Sequence, residues 1–413
     1  MAKAVWKSGF ARLRNGKRVC PKSVKLSRAL FHNKRMTKQS LLIVTTALFS
    51  IIASTLIFIF SPKLLHDSPL PLKLPIAENK NEIEIILVGD IMLSRSVGTK
   101  MSESEDWALP FRKLGNLLRS VDLTFGNLES PFLNTGDRVT EGLSFKTEPQ
   151  AVEGLALAGF DILSTANNHA FDQGKEGVEF TKSWLAQNGM LGIGTGSTTQ
   201  ETHAPAIFTV NEKKIGFLAY TYFKRRPYIA DLDIDQMQKD VASLKDKAEF
   251  IIVSMHAGTE YVAMPTQEQK DFAHAAIDAG ADVVVGHHPH WVQPIERYAT
   301  SFPSPGVGRV PERVGEVESG KEHESVDSKI NTENYHTGII FYSLGNFVFD
   351  QEWSQKTKEG LTVRLTIKDN QLTKVELVPV IIENYCCPRL ADESESKKIL
   401  DNINETSTII ILK

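Results

Sequence analysis

A layered α/β domain of two packed sheets with outer helices is the fold that this 413-residue chain predicts, and three observations predict it. Short apolar, β-branched runs alternate with segments of helical period. Two pairs of such runs are joined closely enough to form antiparallel hairpins. The histidines and short polar residues cluster at the ends of predicted strands rather than along helix faces, where an open α/β sheet builds its sites. A composition of 41% hydrophobic and 23% charged residues belongs to a folded protein and excludes one dominated by disorder.

Three segments precede the domain. Residues 1–40 carry twelve Lys and Arg and no Asp or Glu, and residues 41–60 are uncharged. Twenty residues at ~1.5 Å rise give roughly 30 Å of helix, the hydrocarbon thickness of a bilayer, so a single transmembrane helix is expected. It is expected to stay uncleaved, because the basic region is too long for a secretory signal and no small-x-small pattern follows closely. The positive-inside tendency then puts the amino terminus in the cytoplasm and the globular part outside the cell membrane. The basic arm, without aromatic interleaving or a nucleic-acid motif, points to lipid headgroups and away from nucleic acid. Residues 61–81, with Pro69, Pro71 and Pro75, read as an extended stalk. Beyond residue 40, 35 bases face 50 acids, a formal charge of −15 that repels a polyanion from the surface as a whole. Three cysteines make no disulfide framework, and the adjacent Cys386 and Cys387 are not expected to bridge each other.

The domain is read as residues 82–385. A buried strand is expected over 83–88, a helix over 107–119, and strands over 122–125 and 161–164. An amphipathic helix follows over 177–187, with Val178, Trp184 and Leu185 inward. Runs 206–210 and 215–221 around Asn211-Glu212-Lys213-Lys214 predict one hairpin, and runs 361–367 and 372–380 around Lys368-Asp369-Asn370 a second. Between them come helices over 234–244 and 267–278 and strands over 250–254, 283–285 and 338–342. Residues 299–336, rich in Ser, Pro, Gly and Glu, read as a flexible insertion. Residues 386–413 read as a tail with a surface helix over 391–406, and its apolar close is too short to span a membrane.

Five strand ends carry the candidate chemistry. Asp90 follows a glycine after the first strand, a turn that suits either a carboxylate ligand or a cap. Asn127 and Glu129 flank Leu128 on one side of an extended chain. In Asn167-Asn168-His169 an amide oxygen can ligate a cation while the adjacent imidazole moves a proton, and Asp172 either orients that ring or caps the next helix. His256 precedes an Ala257-Gly258 turn that argues for exposure at the sheet edge. His287, His288 and His290, three imidazoles within four residues, are the most specific element, and Asn346 walls the same pocket. Imidazole, carboxylate and amide together suit a divalent metal such as Mn, Zn or Fe, one or two ions, not a thiolate-bound structural ion. Lys224-Arg225-Arg226 can hold an anion locally or is a solvated loop.

The series Gly-Asp, Gly-Asn-Leu-Glu, Asn-Asn-His, Met-His-Ala-Gly, Gly-His-His-Pro-His and Ser-Leu-Gly-Asn-Phe resembles the poly-gamma-glutamate capsule synthesis family of CapA or PgsA type, and more distantly the calcineurin-like metallophosphoesterases. The resemblance implies a four-layer α-β-β-α metallophosphatase-like sandwich. It implies Asp90, Asn168, His256 and His290 as metal ligands, His287 or His288 completing the cluster, and His169 as proton donor to a leaving group. Asp90-Ile91-Met92 stands where the phosphoesterases carry Asp-x-His, and Asn127 stands where they carry a bridging Asp. This departure favours a one-metal centre with Glu129 as substitute. The functions implied are a membrane-anchored capsule protein acting on poly-gamma-glutamate or a related anionic polymer beside other synthase subunits, a metal-dependent hydrolase of an envelope phosphoester or amide, or a non-catalytic scaffold.

Overall fold

The computed structural model describes residues 81–224, 227–303 and 335–407. The basic arm, the expected span, nearly all of the stalk, Arg225 and Arg226, and most of the expected insertion lie outside the described residues. Among the described residues no helix is long and apolar enough to cross a membrane.

Two sheets form the body. The first has the order β14-β13-β12-β1-β2-β3-β4, with β11 pairing β1. Its strands are β1 (Glu82–Ile91), β2 (Leu123–Leu128), β3 (Ile162–Ser164), β4 (Leu191–Ile193), β11 (Asn346–Val348), β12 (Glu359–Lys368), β13 (Gln371–Glu383) and β14 (Cys387–Leu390). The second has the order β5-β6-β7-β8-β10-β9. It is built from β5 (Ala206–Val210), β6 (Lys213–Thr221), β7 (Phe250–His256), β8 (Val283–His287), β9 (Ile295–Pro303) and β10 (Tyr335–Phe341). The helices are α1 (Arg95–Glu103), α2 (Gly115–Arg119), α3 (Val152–Ala158), α4 (Gly174–Gln187), α5 (Thr199–Thr202), α6 (Ile234–Lys245), α7 (Gln267–Ala279), α8 (Gln355–Lys358) and α9 (Glu393–Thr406).

Strand alternation generates the layers. Ile85, Leu87 and Phe125 of the first sheet pack against Phe217, Ile252 and Val285 of the second in one core, where Phe125 and Phe217 stack at 5.9 Å. Ile86 and Val88 point the other way, into a core with Val97, Met101, Val152 and Leu185 from α1, α3 and α4. Leu218, Ile251, Val253 and Val284 turn outward onto Met237, Val241, Phe272 and Ile277 from α6 and α7. Three apolar cores separate four layers of an α/β sandwich.

Both predicted hairpins form, with Asn211-Glu212 and Asp369-Asn370 at positive φ in two-residue turns. The helix expected over 107–119 is instead a 3₁₀ turn, Leu109–Phe111, followed by α2, because Pro110 and Gly115 interrupt it. Residues 299–303 and 335–336, expected within the insertion, are strand instead, since β9 continues to Pro303 and pairs antiparallel with β10 from Tyr335. The domain does not end at residue 385. β14 pairs with β13, and α9 buries Ile399 and Ile403, so the expected tail completes the sheet and core through Thr406. Cys386 is buried and Cys387 opens β14.

Candidate metal centre

The parallel strands β1, β2, β7 and β8 deliver their carboxyl ends to one place. β1 is irregular there: its register against β2 shifts between Leu87 and Asp90, and Asp90 pairs with Asn127 on one side and Asn346 on the other. Gly89 and Gly286 permit the close approach, since a Cβ on either would stand 2.0 Å from a backbone oxygen, of Gly345 and of Tyr342 respectively. His288 and His290 both adopt positive φ, at 97° and 58°. Such backbone is costly for a residue with a side chain and concentrates at functional sites.

Asp90, Glu129 and His256 are fully buried, and His288 and His290 nearly so. His287 Nδ1 stands 3.3 Å from one Asp90 oxygen and His290 Nδ1 3.4 Å from the other. The His288 backbone N–H donates to Asp90 at 3.3 Å. Glu129 Oε1 lies 3.9 Å from His290 Nε2 and 3.9 Å from His169 Nε2. Neither oxygen of Glu129 has a hydrogen-bond partner, nor do the two ring nitrogens of His287 or Nδ1 of His288. Buried polar atoms are rarely left so, and their grouping here is the pattern of an ion's donors. Two sets have one donor atom each within 4.8 Å of the others: Asp90, Glu129 and His290, and Glu129, His256 and His288. The residues fit a divalent cation, and Glu129 belongs to both sets.

Burial pushes the Asp90 carboxyl up, but His287 and His290 outweigh it and hold the group well below the usual carboxylate range. Burial and then the charge of Asp90 push Glu129 well above its ordinary value. Burial, then His288, depresses His256, and burial, then His290, lowers His288 to about 3. Neutral imidazoles are the form that ligates.

The amides divide by role. Asn168 Oδ1 meets His256 Nε2 at 2.8 Å at the rim of the second set. Asn127 turns its amide nitrogen to Asp90 Oδ1 at 2.8 Å and His256 Nδ1 at 3.2 Å, so it bridges two donors by hydrogen bonds instead of presenting its oxygen. Asn167 is buried: it donates to Asn127 and to the Leu128 carbonyl and accepts from the His169 N–H. Asn346 Oδ1 meets His290 Nδ1 at 2.8 Å while its nitrogen donates to the Thr357 carbonyl, which orients His290 from behind. Asp172 lies 2.8 Å from His169 Nδ1 and orients that ring; the cap of α4 is Gln173. His256 is at the sheet edge as expected, but buried instead of exposed.

Several contributors gave no signal in the sequence. Phe145 stacks on His169 at 3.8 Å, Arg95 pairs with Asp350 and lies over Phe145, Phe223 packs edge-on to His288, and Tyr261 stacks on His290. Phe145, Phe223 and Tyr261 lie on loops without period, and Arg95 opens α1.

The family model of the bacterial capsule synthesis protein PGA_cap matches residues 84–351. The chain is 28% identical to the capsule biosynthesis protein CapA of Bacillus anthracis, over 75% of this chain and 70% of that one. It is 27% identical to the PGA biosynthesis protein CapA of Bacillus subtilis, over 78% and 77%. It is 28% identical to a probable polyglutamine synthesis accessory protein of Mycobacterium tuberculosis, over 70% and 87%.

Proposed function

The chain belongs to the bacterial capsule synthesis protein family, and from that premise we propose that its sandwich domain carries a two-ion centre acting on poly-gamma-glutamate or a related anionic polymer. In this reading the domain is held outside the cell membrane by residues 41–60 and works beside other capsule synthase subunits in synthesis, export or retention of the polymer. The observation that carries it is Glu129, a buried carboxylate with two unpartnered oxygens common to both donor sets.

Asp90, Glu129 and His290 would hold one ion, and Glu129, His256 and His288 the other, with Asn168 beside His256. Mn, Zn and Fe all accept this mixture of imidazole and carboxylate. Such an ion polarises a substrate oxygen and makes hydroxide available near neutral pH. Asn346 fixes the ring of His290, and Asn127 fixes the separation of Asp90 and His256. Elemental analysis of the purified full-length protein tests this: about two Mn or Zn per chain are expected, with a loss of one or more in His290→Ala. Unchanged content in that variant rejects the centre.

A second reading, hydrolysis of a phosphoester or amide in an envelope substrate, is favoured by His169. Its ring is oriented by Asp172, stacked on Phe145, and directs Nε2 toward the centre. An imidazole so held can give a proton to a leaving group. Turnover of phosphoester or gamma-glutamyl substrates should fall at least 100-fold in His169→Ala with metal content unchanged. A metal-loaded wild type inert toward both classes removes this reading.

A further inference from the structure

The loop that carries His290 continues into the wall of a cavity of about 190 Å³, lined by Trp291, Val292, Lys356, Glu359, Ile399 and Ile403 among others. The cavity is smaller than the roughly 300 Å³ at which pockets for drug-sized ligands begin, so it takes a group the size of one residue. Its chemistry is mixed. The Lys356 ammonium sits 4.5 Å over the Trp291 ring and forms no ion pair among the described residues. Trp291 Nε1–H is buried with no acceptor. Glu359, nearly buried at the start of β12, brings a carboxylate, and Val292, Ile399 and Ile403 form an apolar wall.

A ligand that satisfies all of these needs an anion for Lys356 and the indole N–H, a hydrogen-bond donor for Glu359, and a short aliphatic stretch for the apolar wall. A simple anion meets repulsion from Glu359. A neutral sugar leaves Lys356 and the indole without charge compensation. An amide-linked residue with a free carboxylate supplies the acceptor, the N–H donor and the methylenes together. We propose that this cavity is a subsite for one glutamyl unit of an acidic, amide-linked polymer, one residue along the chain from the metal-ligating position of His290. The proposal rests on the polymer reading above and assigns where the polymer is gripped.

The test is binding of a fluorescently labelled gamma-linked glutamate decamer to the full-length protein in detergent with Mn present, followed by anisotropy at about 150 mM salt. A charge-assisted hydrogen bond lost from a desolvated pocket predicts that Lys356→Met weakens binding roughly 10-fold. Lys356→Arg should stay within about 3-fold, and Trp291→Phe should weaken binding a few-fold. A gamma-linked glutamine decamer should bind the wild type roughly 10-fold more weakly. Mn content should match the wild type in every variant. Lys356→Met binding as tightly as wild type overturns the subsite and leaves the polymer reading standing. A parallel loss of Mn in Lys356→Met also overturns it, because the effect then runs through the centre. A metal-loaded wild type that binds no decamer removes the polymer reading and the subsite with it.

Discussion

At the scale of single residues, Glu129 is the group whose surroundings explain least of its own presence. A buried carboxylate without a partner is costly, and in the metal-free protein burial and then the charge of Asp90 push its titration well above the usual carboxylate range. Glu129→Gln should therefore leave the metal-free protein at least as stable in a thermal melt with chelator present, while metal content falls by about one ion or more. The histidines set the pH response of the metal-free protein. His256 and His288 have depressed folded values, so the unfolded chain binds more protons below pH 6.5 and stability falls on acidification. For His288 the window runs from 6.5 to about 3, at roughly 1.4 kcal/mol per pH unit for each such histidine. Glu129 has the opposite sign: its contribution is complete below about 4.5 and is lost as pH rises through its raised value. Asp282, which burial raises to about 6, shares the sign of Glu129; between about pH 3.5 and 5 the two histidines outweigh both, so chelator-treated protein should melt at lower temperature at about pH 3.5 than at about pH 5, and equal melting temperatures count against neutral buried imidazoles. The convergence of Asp90, His256, His288 and His290 on one edge was legible in the sequence because a residue at a strand end is placed once the strand is recognised. Asp172 beside His169 was legible as one of two alternatives, but the orienting work of Asn346 and Asn167 was not, because the choice of hydrogen-bond partner depends on rotamers and on loops far away in the chain.

At the scale of elements, the site depends on how closely the strand ends approach the chain beside them. Gly286 ends the apolar part of β8, and the Tyr342 carbonyl occupies the place of its missing Cβ. Gly286→Ala must displace backbone, not a flexible side chain, so a loss of about 3 kcal/mol is expected. The same change should reduce bound metal, because His287, His288 and His290 follow directly. Gly189→Ala is the contrast: nothing lies within 4 Å of its Cβ, but φ is +79°, so about 1 kcal/mol and no change in metal are expected from denaturant melts. Equal costs at the two positions would show that close approach is not what Gly286 provides. Elements with strong local chemistry were legible: the hairpins through Asn211-Glu212 and Asp369-Asn370, and α7 through the capping box of Thr266 and Gln269. The three-residue strand β4 and the edge strands β9 and β14 were not. They are defined by the neighbour they pair with, and half-exposed edges carry no apolar run.

At the scale of the whole molecule, the donors come from both sheets: Asp90 and Glu129 from the edge of the first, His256, His288 and His290 from the edge of the second. The four layers could be inferred from strand periodicity because Ile85 and Leu87 must face one way and Ile86 and Val88 the other. Nothing in that alternation says that the two sheets align their carboxyl ends at one edge; the contact of Asn127 with His256 and the hydrogen bond from the His288 N–H to Asp90 do. Between the sheets the core contact is apolar and non-directional, so an ion gripped from both sides would be a cross-link that the unfolded chain lacks. At free metal about 1,000 times the dissociation constant this linkage is worth ~4 kcal/mol, and in a domain of this size it shifts the melting temperature by roughly 8 °C. Chelation should lower the melting temperature by that amount and raise amide exchange at residues 125–129 and 285–290 together, leaving β12 and β13 unchanged. Simultaneous loosening is expected because each donor set takes residues from both sheets. If exchange rises at one sheet edge and not the other, the donors act as separate sites and the sheets are held by their apolar core alone.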